Sequence, residues 1–239
     1  MKRAYIPMMV MVLIICLSGV AVGQNYLAVD YDVNGLFDLM GIYGKGKALV
    51  FSAGFSAQDK WYIDGSYRKT NLSELSSNAG GPFWPIGDEV KWSFSDMHIA
   101  GNYILFEEKG TTFSIGLAGL YRTEYIYEDA SDWEANILGL GAKASGRMEL
   151  KNGVAISGNL LWGPSFALKV QTEPELIENT DMGGKVLSFS VGAEYALSDN
   201  YLLRAGYRYT YGEMHCKDIP NSELENTYQT LYVGVGFNL

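Results

Sequence analysis

Residues 228–239 read Tyr-Gln-Thr-Leu-Tyr-Val-Gly-Val-Gly-Phe-Asn-Leu. The odd positions, Gln229, Leu231, Val233, Val235, Phe237 and Leu239, are apolar but for the first, while Tyr228, Thr230, Tyr232, Gly234, Gly236 and Asn238 are small, aromatic or polar. A side-chain period of two is that of a β-strand with two chemically different faces. The same parity recurs upstream. Between 201 and 212, Leu203, Ala205, Tyr207, Tyr209 and Tyr211 oppose Arg204, Gly206, Arg208, Thr210 and Gly212; between 186 and 197, Leu187, Phe189, Val191, Ala193 and Tyr195 oppose Ser188, Ser190, Gly192 and Glu194. The stretches 49–57, 61–70, 97–105, 113–127, 138–150 and 154–169 alternate alike, which makes nine strands.

The connections between these strands alternate in length. Tight polar turns stand at Gln58-Asp59-Lys60, Glu108-Lys109-Gly110, Lys151-Asn152-Gly153 and Ser198-Asp199-Asn200, each suited to a short hairpin. Between them lie longer segments, 71–91, 128–135, 173–183 and 217–227. Short turns at one end and long loops at the other predict an all-β, antiparallel transmembrane β-barrel with periplasmic turns and extracellular loops. Such barrels have an even number of strands, so a tenth is expected over 26–43, with Gly44-Lys45-Gly46 as its connection. Leu27, Val29, Tyr31 and Val33 keep phase there, but Leu36, Met40 and Ile42 fall out of it, and eight strands is the alternative count.

The composition decides which face points outward. The apolar face is crowded with Phe, Tyr and Leu, and the opposite face is rich in Gly, Ser and Ala with scattered charges. The bulky set would overfill a narrow interior, whereas outside it would meet lipid. Aromatics gather toward both ends of the strands, as in interfacial girdles. Of 239 residues, 28 are Gly and 17 are Tyr, and the net charge is −9, which argues against nucleic acid as a partner. Two cysteines and two histidines leave no disulfide framework and no His- or Cys-rich metal centre, and no cofactor is implied.

Residues 1–23 read as a secretory signal peptide: Lys2 and Arg3, the apolar run 8–17, then Ala21-Val22-Gly23 before Gln24. The run is shorter than the ~20 residues of a spanning helix. Cleavage after Gly23 would leave a single barrel domain, 24–239, with one cysteine, Cys216.

Over residues 25–239 the chain resembles the small outer-membrane β-barrel proteins of Gram-negative bacteria. Its end is similar to the C-terminal signal recognised by the barrel-assembly machinery, with Tyr232, Gly234, Phe237 and Leu239 in the motif positions; many members end in Phe where this chain has Leu239. The resemblance implies an outer-membrane location, with lipid and lipopolysaccharide as surroundings, but fold does not fix function. Asp64, Arg68, Asp96, His98, Arg122, Glu124, Lys143, Arg147, Glu149, Lys169, Glu194, Arg204 and Arg208 are expected to face the lumen. In a low-dielectric barrel they must be paired or hydrated, which gives either a salt-bridged core or a narrow pore with ion preference.

Enzymatic readings fare less well. Omptin proteases, ten-stranded barrels of similar size, use paired acids and an Asp-x-His at the extracellular rim. Asp96-Met97-His98 has that spacing but follows the wrong loop, and 173–183 contains no His. Lipid A deacylase barrels need His-x-Ser, which neither His98-Ile99-Ala100 nor His215-Cys216-Lys217 supplies. The loop stretch Gly80-Gly81-Pro82-Phe83-Trp84-Pro85 leaves adhesion open as an alternative, its ligand unknown. The acids Glu173, Glu175, Glu178 and Asp181 read better as solvated side chains than as a calcium site. The function expected is thus a non-enzymatic structural surface barrel or narrow porin-like channel.

Overall fold

A computed structural model describes residues 25–39, 42–58, 60–77, 91–128, 131–173, 182–216 and 223–239. The leader expected over 1–23, the loop stretch 80–85 and the acids Glu175, Glu178 and Asp181 lie outside the described residues. Ten antiparallel strands form one closed barrel: β1 (Tyr26–Leu39), β2 (Ile42–Gln58), β3 (Trp61–Ser77), β4 (Lys91–Glu108), β5 (Thr111–Glu128), β6 (Ser131–Glu149), β7 (Val154–Glu173), β8 (Met182–Ala196), β9 (Tyr201–Cys216) and β10 (Glu223–Asn238). Each strand pairs with its sequence neighbours, and β1 closes on β10 with Leu27 opposite Phe237 and Tyr31 opposite Val233. The strand quoted at the outset is therefore the closing strand. The strands run from 14 to 20 residues, longer than the roughly 10 that cross a bilayer at a tilt.

The faces are distributed as the alternation requires. Leu117 is 79% exposed, Leu231 63% and Trp162 60%, all on the outer face, whereas Asp30, Asp32 and Glu124 on the inner face are at most 1% exposed. Trp61, Phe113, Tyr201 and Phe237 stand exposed near the short-turn end, and Tyr43, Tyr125 and Phe166 toward the loop end.

Several boundaries differ from the sequence expectation. Gly44-Lys45-Gly46 is not a connection: it lies inside β2, paired with Gly35, Leu36 and Phe37 of β1, and the ladder continues to Leu39 opposite Ile42. A bulge explains the misreading. The ladder from β1 to β10 slips between Asp32 and Leu36, so parity reverses there and Leu36 again points outward at 49% exposure while Phe37 turns inward at 2%. Parts of the expected long loops are likewise strand: 71–77 in β3, 128 in β5, 131–135 in β6 and 223–227 in β10, with Glu128 opposite Ser131.

Between β4 and β5, Lys109 and Gly110 both have positive φ (51° and 76°), the backbone of a two-residue turn whose twist matches the strands. The ladder between β6 and β7 is interrupted: Gly139 pairs with Ser165 and Ala142 with Trp162, with nothing paired between. Pro164, which has no N–H to donate, sits in that gap.

Replacing outward-facing Leu117 with Arg is expected to weaken folding into lipid vesicles by about 2–4 kcal/mol, as a lipid-facing cation near the midplane does. Urea titration of refolding into vesicles would measure it. An unchanged midpoint would mean that this face does not meet lipid.

Candidate functional site

The lumen is built around carboxylates clasped by arginines. On β4, Asp96 accepts from Arg68 of β3 and Arg122 of β5: the Nε of Arg68 donates to Oδ2 at 3.0 Å, and the Nε of Arg122 donates to Oδ1 at 2.6 Å. The Nη1 of Arg122 reaches Glu124 Oε1 at 3.5 Å and Asn226 Oδ1 at 3.4 Å. The guanidinium of Arg68 lies over the ring of Tyr228, 4.6 Å from its centroid, and that of Arg122 lies 5.2 Å from the centroid of Phe94. Buried charges of this kind are tolerable only when paired in this way.

A second network joins β1 to β9. Arg208 donates to Asp32 at 2.7 Å and also to Asp30, while Arg204 donates to Asp30 at 3.2 Å. The Arg208 guanidinium lies 3.9 Å from the centroid of Tyr232. That ring packs where a Cβ on Gly192 or Gly206 would overlap its hydroxyl, so the two glycines make its seat. Toward the short-turn end, Arg147 bridges Glu194 at 3.1 Å and Glu149 at 2.6 Å. Tyr228 joins the two networks by donating to Asp32 at 3.3 Å.

A third group centres on Asp64. Lys143 donates to both its oxygens at 2.5 Å and Asn102 donates at 3.0 Å. The Nδ1 of His98 is 3.9 Å away, and His98 Nε2 is buried without a hydrogen-bond partner among the described residues.

Nearly every residue expected in the lumen is thus on the inner face. The side chain of Lys169 lies outside the described residues, and Glu149 stands half exposed at the short-turn mouth. Asp30 and Asp32 were not among the expected residues, although they occupy the face opposite Leu27, Val29 and Tyr31, so the alternation itself carried the signal. Asp96 and His98 do face the same side, but Asp96 is engaged by two arginines inside the barrel. Of the C-terminal motif, Tyr232 and Gly234 face inward, with Gly234 against Asp30. Phe237 packs outside on Tyr201 at 4.9 Å, and Leu239 ends the chain exposed.

Toward the loops, the inward residues of β1, β3, β4 and β10 build an apolar layer, with Glu124 buried opposite Phe94 at its edge. Phe37, Leu72, Trp92, Phe94 and Tyr228 form a cluster no more than 8% exposed, with Phe37 edge-on to Trp92 at 4.6 Å and Phe94 edge-on to Tyr228 at 5.5 Å. A separate cluster of Leu161 and Val186 with Ala100 and Ala118 lies lower, where Ala100 stands opposite Asp64 and Leu161 opposite Lys143. Sequence reasoning missed this layer because it equated apolar with outward. Toward the short turns the lumen opens into a chamber of about 190 Å³ reaching from Thr210 down to Tyr26, the first residue of β1.

With this geometry the chain superposes on solved outer-membrane barrels. The outer-membrane protease OmpT from Escherichia coli matches with a TM-score of 0.59 at 8% identity, covering 92% of this chain and 99% of that one. The translocator domain of the autotransporter NalP from Neisseria meningitidis matches with a TM-score of 0.50 at 12% identity, covering 100% and 97%. The fold is that of the outer-membrane β-barrels. At these identities the likeness is one of fold alone. No protein-family model matches the chain, and no curated protein matches it in sequence.

Replacing Asp96 with Ala strands two buried arginines and is expected to cost about 3–5 kcal/mol. The exposed pair Lys109–Glu108, at 3.4 Å, is the control: Lys109→Ala is expected to stay within about 0.5 kcal/mol. Urea midpoints of the two variants in detergent would compare them, and equal midpoints would refute a structural role for the network.

Proposed function

We propose that this chain is an integral outer-membrane barrel that acts as a non-enzymatic structural surface protein, with its lumen closed on the loop side. The observation that carries this reading is the apolar layer of Phe37, Leu72, Trp92, Phe94 and Tyr228 resting on the clasped Asp96. Water and ions cross a hydrophobic constriction poorly, and the charges beneath it are spent on one another. Six cations, Arg68, Arg122, Lys143, Arg147, Arg204 and Arg208, contact seven carboxylates, Asp30, Asp32, Asp64, Asp96, Glu124, Glu149 and Glu194, in the lumen. Pairing this complete favours a strut across the barrel over a selectivity filter. It also favours a non-enzymatic role, because Asp96 is held by two guanidiniums and is poorly placed to act as a base.

The lipid-facing band would meet membrane lipid and lipopolysaccharide, and β10 would serve the assembly machinery through Tyr232, Gly234, Phe237 and Leu239. A narrow channel is the second reading, favoured by the chamber on the short-turn side.

Planar-bilayer recording decides between them. The folded barrel is expected to give no steady single-channel steps, and Trp92→Ala with Phe94→Ala is expected to produce them. Steps from the unmodified protein that change on Arg204→Gln would overturn the closed reading in favour of the channel.

A further inference from the structure

The chamber has a mixed lining. Its charged members, among them Lys143, Arg204 and Arg208, are already bound to Asp64 or to Asp30 and Asp32, and Leu120 and Leu161 add an apolar patch. Beside them β7, β8 and β9 form a polar wall of Ser157, Asn159, Ser188, Ser190 and Thr210, with Ser190 directly opposite Arg208. These occupy inward positions, yet Asn159 is exposed and Ser188 and Ser190 are half-buried, so this wall borders open space inside the barrel. Its internal hydrogen bonds are long: Asn159 to Ser190 at 3.4 Å and Ser188 with Thr210 at 3.3 Å.

Ligand chemistry follows from what the walls offer. Hydroxyls and an amide both donate and accept, so the wall matches a molecule that does the same at several closely spaced positions. An ion would find every facing charge already partnered and would have to break a buried pair to bind. At about 190 Å³ the chamber is too large for a single water or a monatomic ion; at roughly 30 Å³ per water it holds the equivalent of about six. The geometry points to a binding site for one small, neutral, polyhydroxylated molecule of monosaccharide size, entering from the short-turn side past Tyr26. This site goes beyond a structural role and does not depend on the loop-side closure, which bilayer recording tests separately.

The full mature chain, refolded in a sugar-free zwitterionic detergent, is dialysed to equilibrium against radiolabelled glucose. Saturable retention is expected, displaced by unlabelled glucose or mannitol and not by sodium phosphate. Asn159→Leu with Ser190→Leu fills the chamber and is expected to abolish retention. Ser188→Ala, which alters little volume, is expected to weaken binding by up to about tenfold, one hydrogen bond's worth. Heat-dependent gel mobility verifies that each variant is folded. Absence of saturable retention overturns the site, as does retention unaffected by filling the chamber or by Ser188→Ala. Displacement by phosphate overturns the ligand class and makes the site one for anions.

Discussion

Closure of β1 on β10 is the constraint from which the rest of the structure follows. A sheet in hydrocarbon cannot leave an edge, because an unpaired N–H or C=O there costs several kcal/mol and no water is present to relieve it. The pairing of Leu27 with Phe237 and of Asp32 with Tyr232 removes that edge. Once the sheet is closed, each residue has only two environments available, lipid or lumen, and the pleat assigns them alternately. The outer side chains must be apolar, and any polar group placed inside must find its partner within the barrel. Asp30 meets the second demand at the seam itself: it lies on β1, fully buried, and takes Arg204 and Arg208 from β9 two strands away.

That logic explains how much was legible in the sequence. The period of two needs no tertiary information, so Leu231, Val233 and Val235 against Thr230, Tyr232 and Gly234 revealed strand, face and orientation at once. The reading failed where one residue too many breaks the period. The bulge beyond Asp32 reverses parity within a single strand, so Leu36 looked misplaced and the Gly44-Lys45-Gly46 stretch looked like a turn. Glycine there has another reason: the ring of Tyr228 packs close to Gly35 and Gly46, where side chains would collide with it or its neighbours.

The inner apolar layer was illegible for a different reason. Alternation tells which residues share a face, but not at what height along the barrel they meet. Phe37, Leu72, Trp92, Phe94 and Tyr228 come from β1, β3, β4 and β10, and only the registers of those strands bring them to one level. Partner identity within the lumen is hidden in the same way. That Arg68 and Arg122 share Asp96 depends on Arg68 lying opposite Asp96 and Asp96 opposite Arg122, a row of three across β3, β4 and β5.

The lumen is therefore layered, and the layering has an electrostatic cause. Aromatic rings with electron-rich faces stand next to the arginines: Tyr228 and Phe94 beside Arg68, Phe94 beside Arg122, Tyr232 beside Arg208. Each ring offers a guanidinium an attractive surface where water would otherwise be needed, and excludes that water at the same time. Dehydration strengthens the pairs with Asp96 and Asp32, while the cost of burying the charges makes a lost partner expensive. Beyond the seat of Tyr232 on Gly192 and Gly206, the inward residues of β7, β8 and β9 include Ser157, Asn159, Ser188, Ser190 and Thr210. The interior is closely packed where Arg68 and Arg122 meet Phe94 and Tyr228, and it opens below them, where Arg208 with Tyr232 and the hydroxyls of β7, β8 and β9 share one chamber.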